Sequence, residues 1–401
     1  MKKSLCCIAL GIMYGTLAIA QPEIEKRIQT QLILAENGST IDLPEGVIHL
    51  TKSLSMDGKK NITIKGKGLN QTMLSFKGQI MGAEGLKITN SQQIILENFT
   101  IQDSKGDLIK TMHVTGITFR RVKAEWTGKP SPKNGGYAFY PVQCEQVVLD
   151  SCTAIGASDA GIYVGQSKHI VVKNCTAYNN VAGIEIENSL YADVHNNVVT
   201  GNTGGILVFD LPDLVQKRGG YTRVFNNLIK ENNHPNFAPK GNIVAKVPEG
   251  TGILILATNQ VEIFENLILD NKTVGTGIIS YFMTENKFKD KDYYPYPTGI
   301  YIHDNQFERK PKRAPLTSTI GKIFTFKLKY GKNVPHIIYD GIVDKNTLDA
   351  NGRVKLENKI CIRQNKNQSI GNMDAENDFK KPTRDAPQFD CALERLKMPV
   401  H

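Results

Sequence analysis

Residues able to act on a polymer fall in two rows of this chain. Tyr140, Tyr163, Glu185 and Leu207 form one row, and Gln143, Gln166, Asn188 and Asp210 the other, each member 22 or 23 residues from the last. A phenol or a carboxyl can give or take a proton, and amides read hydroxyls. Removing a proton next to a carboxylate needs a base, together with a cation that neutralises the carboxylate. Tyr163, Glu185 and Asp210 are the catalytic candidates, with either Tyr163 or Tyr140 as base or acid. Tyr140, Gln143, Asp159, Gln166, Asn188, Lys217 and Arg218 are the substrate-binding candidates, Lys217 or Arg218 supplying the cation. Hydrolysis would instead need two carboxyls flanking one bond, and Glu185 with Asp210 or Asp159 are the available pairs. Glu185, Glu187 and Asp210 are also candidate oxygen ligands for Ca2+; without a metal they would repel a uronate. Taken singly, each of these residues also fits a solvated strand face.

Such rows exist only if the chain repeats, and it does. Gly161–Gln166 aligns with Gly183–Asn188, and Val172–Cys175 with Val194–Asn197, at an offset of 22 residues. One column of the repeat holds Phe99, Val122, Cys152, Cys175, Asn197, Asn227, Asn266 and Asn305, spaced by 23, 30, 23, 22, 30, 39 and 39. A second holds Ala138, Gly161, Gly183, Gly205, Gly252 and Gly277, the last five each followed by Ile. A period in the twenties with β-branched alternation marks a solenoid, one coil per repeat. Alternation sends Ile162, Val164, Ile184, Ile186, Ile206 and Val208 inward, and Tyr163, Glu185 and Leu207 outward. An Asn column at a bend can hydrogen-bond from coil to coil. The fold class expected is all-β: a single-stranded parallel β-helix.

Four insertions interrupt the coils, at 125–137, 209–221, 232–251 and 281–298. Long loops on a regular scaffold build binding walls. Residues 1–20 read as a signal peptide: Lys2 and Lys3, an apolar run from Leu5, then Ala18-Ile19-Ala20. Export to the periplasm, cell surface or medium is therefore expected, with no transmembrane segment. Residues 21–37 hold a capping helix, with Ile24, Ile28 and Leu32 on one face. The β-helix spans 38–307, and 308–401 form a basic, irregular cap and tail with one further strand at Ile360–Arg363.

The net charge of +10, with a pI near 9.1, favours acidic partners. No interleaving of aromatic and basic residues suggests a nucleic-acid module, so none is expected as partner. No metal spacing of His and Cys, phosphate loop or nucleophile elbow occurs. Beyond the leader there are five cysteines. Cys144, Cys152 and Cys175 are expected as buried thiols, because stacked parallel strands seldom offer disulfide geometry. Cys361 and Cys391 bracket the irregular tail and are the better pair.

The repeat grammar, leader and cap resemble the right-handed parallel β-helix superfamily of pectate-lyase-like proteins, over about residues 38–307. NGGYAFYPVQC, GASDAGIYVGQS, NVAGIEIENS and GGILVFDLP, with the Cys361 and Cys391 tail, look more closely like a family of uncharacterised secreted bacterial β-helix repeat proteins. The wider superfamily implies polysaccharide lyases, uronate epimerases, glycoside hydrolases or adhesins. No Asp-Pro-His of the alginate epimerases occurs here. The paired aspartates of the polygalacturonases are not evident either, so no catalytic residue carries over. The expectation is an exported lyase or epimerase acting on an acidic polysaccharide. The competing reading is a non-catalytic polysaccharide-binding or surface structural protein. Fold alone does not choose between them.

Overall fold

The computed structural model describes residues 21–310, 330–331, 333–384 and 387–398. The predicted leader at 1–20 and most of the basic stretch, 311–329 and 332, lie outside them. The helix Gln21–Leu34 caps the first coil, burying Ile28 and Leu32. It is pinned where the Glu25 carboxylate accepts the Thr51 N–H at 2.7 Å.

Every ladder between named strands is parallel. A typical coil has three strands, such as Ala160–Gly165, Lys168–Lys173 and Thr176–Tyr178. The first strands stack into an 11-stranded sheet; the second and third form a 19-stranded one. Gln92–Gln102 and Thr115–Glu125 run unbroken through both of the latter faces and join them. Bends fall at residues of positive φ, such as Asn174, Asn196 and Asn226. Asn tolerates that conformation better than most side chains.

Inward side chains fill the solenoid. Ile162, Ile184, Ile206 and Ile253 stack in register, as do Val164, Ile186, Val208 and Ile255, all buried. Each such burial contributes roughly 1.5–3 kcal/mol. The Asn column is a hydrogen-bonded ladder: Asn227 Oδ1 accepts from Asn197 N at 3.0 Å, and Asn227 N donates to Asn266 Oδ1 at 3.0 Å. It continues through Asn305 to Asn365. Upstream, Cys175 N donates to Asn197 Oδ1, and the column turns apolar through Cys152 and Val122. A second ladder runs Asn180, Asn202, Asn232 and Asn271. Its spacings of 22, 30 and 39 copy the first ladder five residues on, a signal present in the sequence.

One register differs from expectation. Leu254 pairs with Gly277, which puts Gly275, not Gly277, beside Gly252. The backbone carbonyl of Gly275 would lie 2.4 Å from a Cβ on Gly252, so the column needs glycine there for close coil approach. The Gly-Ile pair at 277 mimicked the pattern two residues late. The ladder also continues past Phe307, through Ile337–Tyr339, Ile360–Arg363 and Ile370–Asn372. These strands are too short and too far apart to show a period.

Cys361 and Cys391 are disulfide-bonded, and Cys144, Cys152 and Cys175 are buried free thiols. From Cys391 the tail doubles back over one outer row, Cys361, Tyr301, Glu262, Arg223 and Asp193. Leu396 N donates to Glu262 Oε2 at 2.9 Å, and the Arg395 guanidinium lies 5.0 Å over Phe264. No described helix is long and apolar enough to cross a membrane.

Candidate functional site

The outward row on the 11-stranded sheet reads Lys87, Lys110, Tyr140, Tyr163, Glu185, Leu207, Leu254. Tyr163 and Glu185 face away from the coil, as alternation requires, yet they are 4% and 1% exposed. The loops roof them. Within 232–250, Val244 and Val247 are buried against the outer row, where Gly204 leaves room: a Cβ there would meet Val247 Cγ1 at 2.9 Å. Asn242 Nδ2 from this loop donates to Asp159 Oδ2 at 2.8 Å. The 281–298 loop closes the next side, its Tyr293 hydroxyl donating to the Asp210 carbonyl at 2.6 Å. Leu207, Phe209, Leu254, Leu256 and Ile279 form a second apolar core under the roof. A fully solvated strand face is therefore not what these coils present.

Beneath the roof lie four carboxyls. Asp159 is positioned by the 125–137 insertion, since the Gly136 carbonyl accepts its N–H at 3.0 Å. The Tyr163 ring lies along its own strand over Gly165, where a Cβ would sit 2.1 Å from the phenol oxygen. That reach lets the hydroxyl donate to Glu187 Oε1, one coil on, at 2.7 Å. Both oxygens of Glu185 lack a hydrogen-bond partner. Burial, then the charges of Glu187 and Asp159, hold Glu185 well above the usual carboxyl range. Burial likewise raises Asp159 and Glu187 to about 7 each. Burial raises Asp210 to about 7 as well, against the Gly219 N–H that its Oδ1 accepts at 2.9 Å. The Tyr163 phenol is pushed well up by burial and by Glu187, so it is a hydrogen-bond donor rather than a ready base.

The open end lies one and two coils upstream. Lys110 Nζ sits 4.8 Å above the Tyr140 ring, and Tyr137, Tyr140 and Tyr163 cluster with ring centroids 4.4–5.1 Å apart. Asp107 accepts the Tyr137 N–H at 3.2 Å, and burial raises it to about 6 against the pull of Lys110. Burial and Asp107 push Tyr140 up to about 12. Sequence reasoning began the row at Tyr140 and so missed Lys110, 30 residues upstream in the same register, along with Asp107.

The second row follows the corner after each strand. Gln143 Oε1 lies 2.9 Å from His113 Nε2. Gln166 Oε1 accepts the Val215 N–H at 3.0 Å. Asn188 is buried and fully engaged: its amide accepts from Leu211 N and donates to the carbonyls of Leu211 and Gln216 at 2.7–3.0 Å. Lys217 pairs with Asp290 at 2.8 Å, and Arg218 lies 5.4 Å over the Tyr294 ring. Both candidate cations thus bind the 281–298 loop, while Lys110, whose ammonium lies 3.9 Å from Glu84 Oε1, is the cation placed next to Tyr140. Glu187 and Asp210 are tied to Tyr163 and Gly219, which does not suit a Ca2+ cage. No described group of three acidic, His or Cys side chains could hold a metal.

A family model described as right handed beta helix region matches residues 55–213. The pre-neck appendage protein of Bacillus phage B103 is 23% identical over 207 residues, 43% of this chain. The chain spans only 24% of that relative's length. Among solved structures, the A-module of the mannuronan C-5 epimerase AlgE4 of Azotobacter vinelandii superposes with a TM-score of 0.49 at 14% identity, covering 79% of this chain and 87% of that one. Pectate lyase Pel9A gives 0.45 at 12%, covering 70% and 69%. The coil geometry and the family match over residues 55–213 agree on the fold, a right-handed parallel β-helix.

Proposed function

We propose that this is a carbohydrate-active β-helix protein, a lyase or epimerase acting on an acidic polysaccharide. The observation that carries the reading is Lys110 lying over Tyr140 at the open end of the outward row, beside Asp107. Lys110 would neutralise a uronate carboxylate and so make the neighbouring C–H more acidic. Asp107, raised to about 6, is ionised from about pH 6 upward and suited to take that proton, and between about 6 and 7 Asp159 and Glu187 still hold theirs. Tyr140, pushed up to about 12, keeps its proton and can give it to a leaving oxygen, for elimination, or to the opposite carbon face, for epimerisation. The neutral acids behind, Asp159 and Glu187, add no negative charge to repel the substrate while they stay protonated.

The test is ultraviolet absorbance of an unsaturated product when the chain meets a panel of uronate polysaccharides, with Ca2+ and with chelator, followed by product NMR for inverted sugars. Turnover abolished in Lys110→Ala supports the site. Turnover retained in both Tyr163→Phe and Glu185→Gln would remove the buried pair from the chemistry and leave the open end to carry it. No product and no binding of any polymer would sink the carbohydrate reading.

A further inference from the structure

The two outward rows are open at one end and shut at the other, the strand row from the coil of Tyr163 and the corner row one coil further on, at Asn188. On the strand row, Lys87, Lys110 and Tyr140 are partly exposed, whereas Tyr163 and Glu185 lie under the 232–250 roof. On the corner row, Asn90 and His113 are exposed and Gln143 and Gln166 half-buried, whereas Asn188 is covered by residues 211–219. A groove of about 480 Å³ runs along this corner, lined by His113, Gln143, Glu145, Gln166 and Lys168, with Glu145 opposite Lys168 in register, and it stops against Val215 and Gln216. The stop is built in. Gln166 holds the backbone N–H groups of Val215 and Gln216 at 3.0 and 3.4 Å. A Cβ on Gly219 would lie 3.0 Å from the Asn188 Cα, so the loop returns flush against the corner.

We infer that the site takes its polysaccharide by a chain end. A polymer lying along coils stacked about 4.8 Å apart meets open rows upstream and a wall at the coil of residues 182–188. A mid-chain segment would have to pass through that wall; a terminus need not. Within the groove, the free amide N–H groups of Gln143 and Gln166 suit sugar hydroxyls. The exposed Lys168 ammonium, with no ion-pair partner among the described residues, suits a carboxylate. Val215, 81% exposed on the lip, offers an apolar contact for a ring face. The inference rests on the acidic polysaccharide reading and adds a mode of action: sugars are processed from one end.

Binding stoichiometry against chain length separates the two ideas. Uronate oligomers of increasing length are titrated calorimetrically with the full chain. End recognition predicts one protein bound per oligomer at every length, and per-mass binding that falls as chains lengthen. Stoichiometry rising in proportion to length would overturn end recognition while leaving the carbohydrate reading intact. No binding at any length would overturn that reading, and this inference with it. Lys168→Ala should weaken binding roughly tenfold without changing the stoichiometry. Gln166→Ala, which frees the Val215–Gln216 stop, should let stoichiometry begin to rise with length. Unchanged behaviour in both variants would place the chain end elsewhere.

Discussion

At the residue scale, the informative groups are the carboxyls under the roof. Asp159, Glu187 and Asp210 sit near 7 in the folded chain, against ordinary values of 3.8 for Asp and 4.5 for Glu, chiefly because of burial. The folded state therefore binds more protons than the unfolded one across that interval. The stability these groups contribute is full below their unfolded values and is lost as pH rises through about 7. Melting temperature should fall from about pH 5 to about pH 8, the reverse of a protein held by ionised carboxylates. Glu185→Gln cannot ionise and should flatten that fall; an equally steep profile would mean that Glu185 is not part of the coupled group. Lys110→Ala should lower kcat/KM by about 100-fold or more, with the loss largely restored by Lys110→Arg. Glu185 was legible from alternation alone, because period two fixes which side chains leave the coil. Its burial was not, since the covering residues lie 57 or more positions away, in a loop without a period.

At the scale of the elements, the Asn ladder sets coil stacking at the bend. Asn227→Ala would leave the Asn197 N–H without its acceptor and take one donor from the Val194 carbonyl. The buried orphan costs about 1–3 kcal/mol and the lost bond adds to it, so a loss of roughly 2–5 kcal/mol is expected in chemical denaturation. A loss below about 0.5 kcal/mol would show that water replaces the amide there. Coils 138–208 were readable because they repeat without insertions, and two columns cross-check each other. The second ladder was readable too, but only by sliding the first by five residues. The register at Gly275 was not, because Gly277-Ile278 offers the same two-letter signal and only Thr276 facing inward, beside Ile253, reveals the shift.

At the scale of the whole molecule, repeats contact only their neighbours, so a solenoid loses coils from its ends. The helix Gln21–Leu34 covers one end. At the other, the Cys361–Cys391 bridge closes a 30-residue separation, worth about 3–4 kcal/mol in chain entropy. Cys391→Ala should produce an early transition in hydrogen exchange confined to residues after about 298, while coils 138–208 keep their protection. Loss of protection throughout the chain would mean that the coils unfold as one unit instead. The pairing was visible in the sequence, whereas the path of residues 391–398 back along three coils was not, because nothing periodic marks it.

That path has a mechanical consequence. Tension applied at Met398 first meets Leu396 and Arg395, held crosswise on Glu262 and Phe264. Once these let go, the pull passes through the disulfide straight into the strand Ile360–Arg363. The segment from 364 to 390 is short-circuited and carries no load. The terminal ladder strand Ile370–Asn372 is thus shielded from peeling, and rupture must begin by dragging a buried strand sideways out of its ladder.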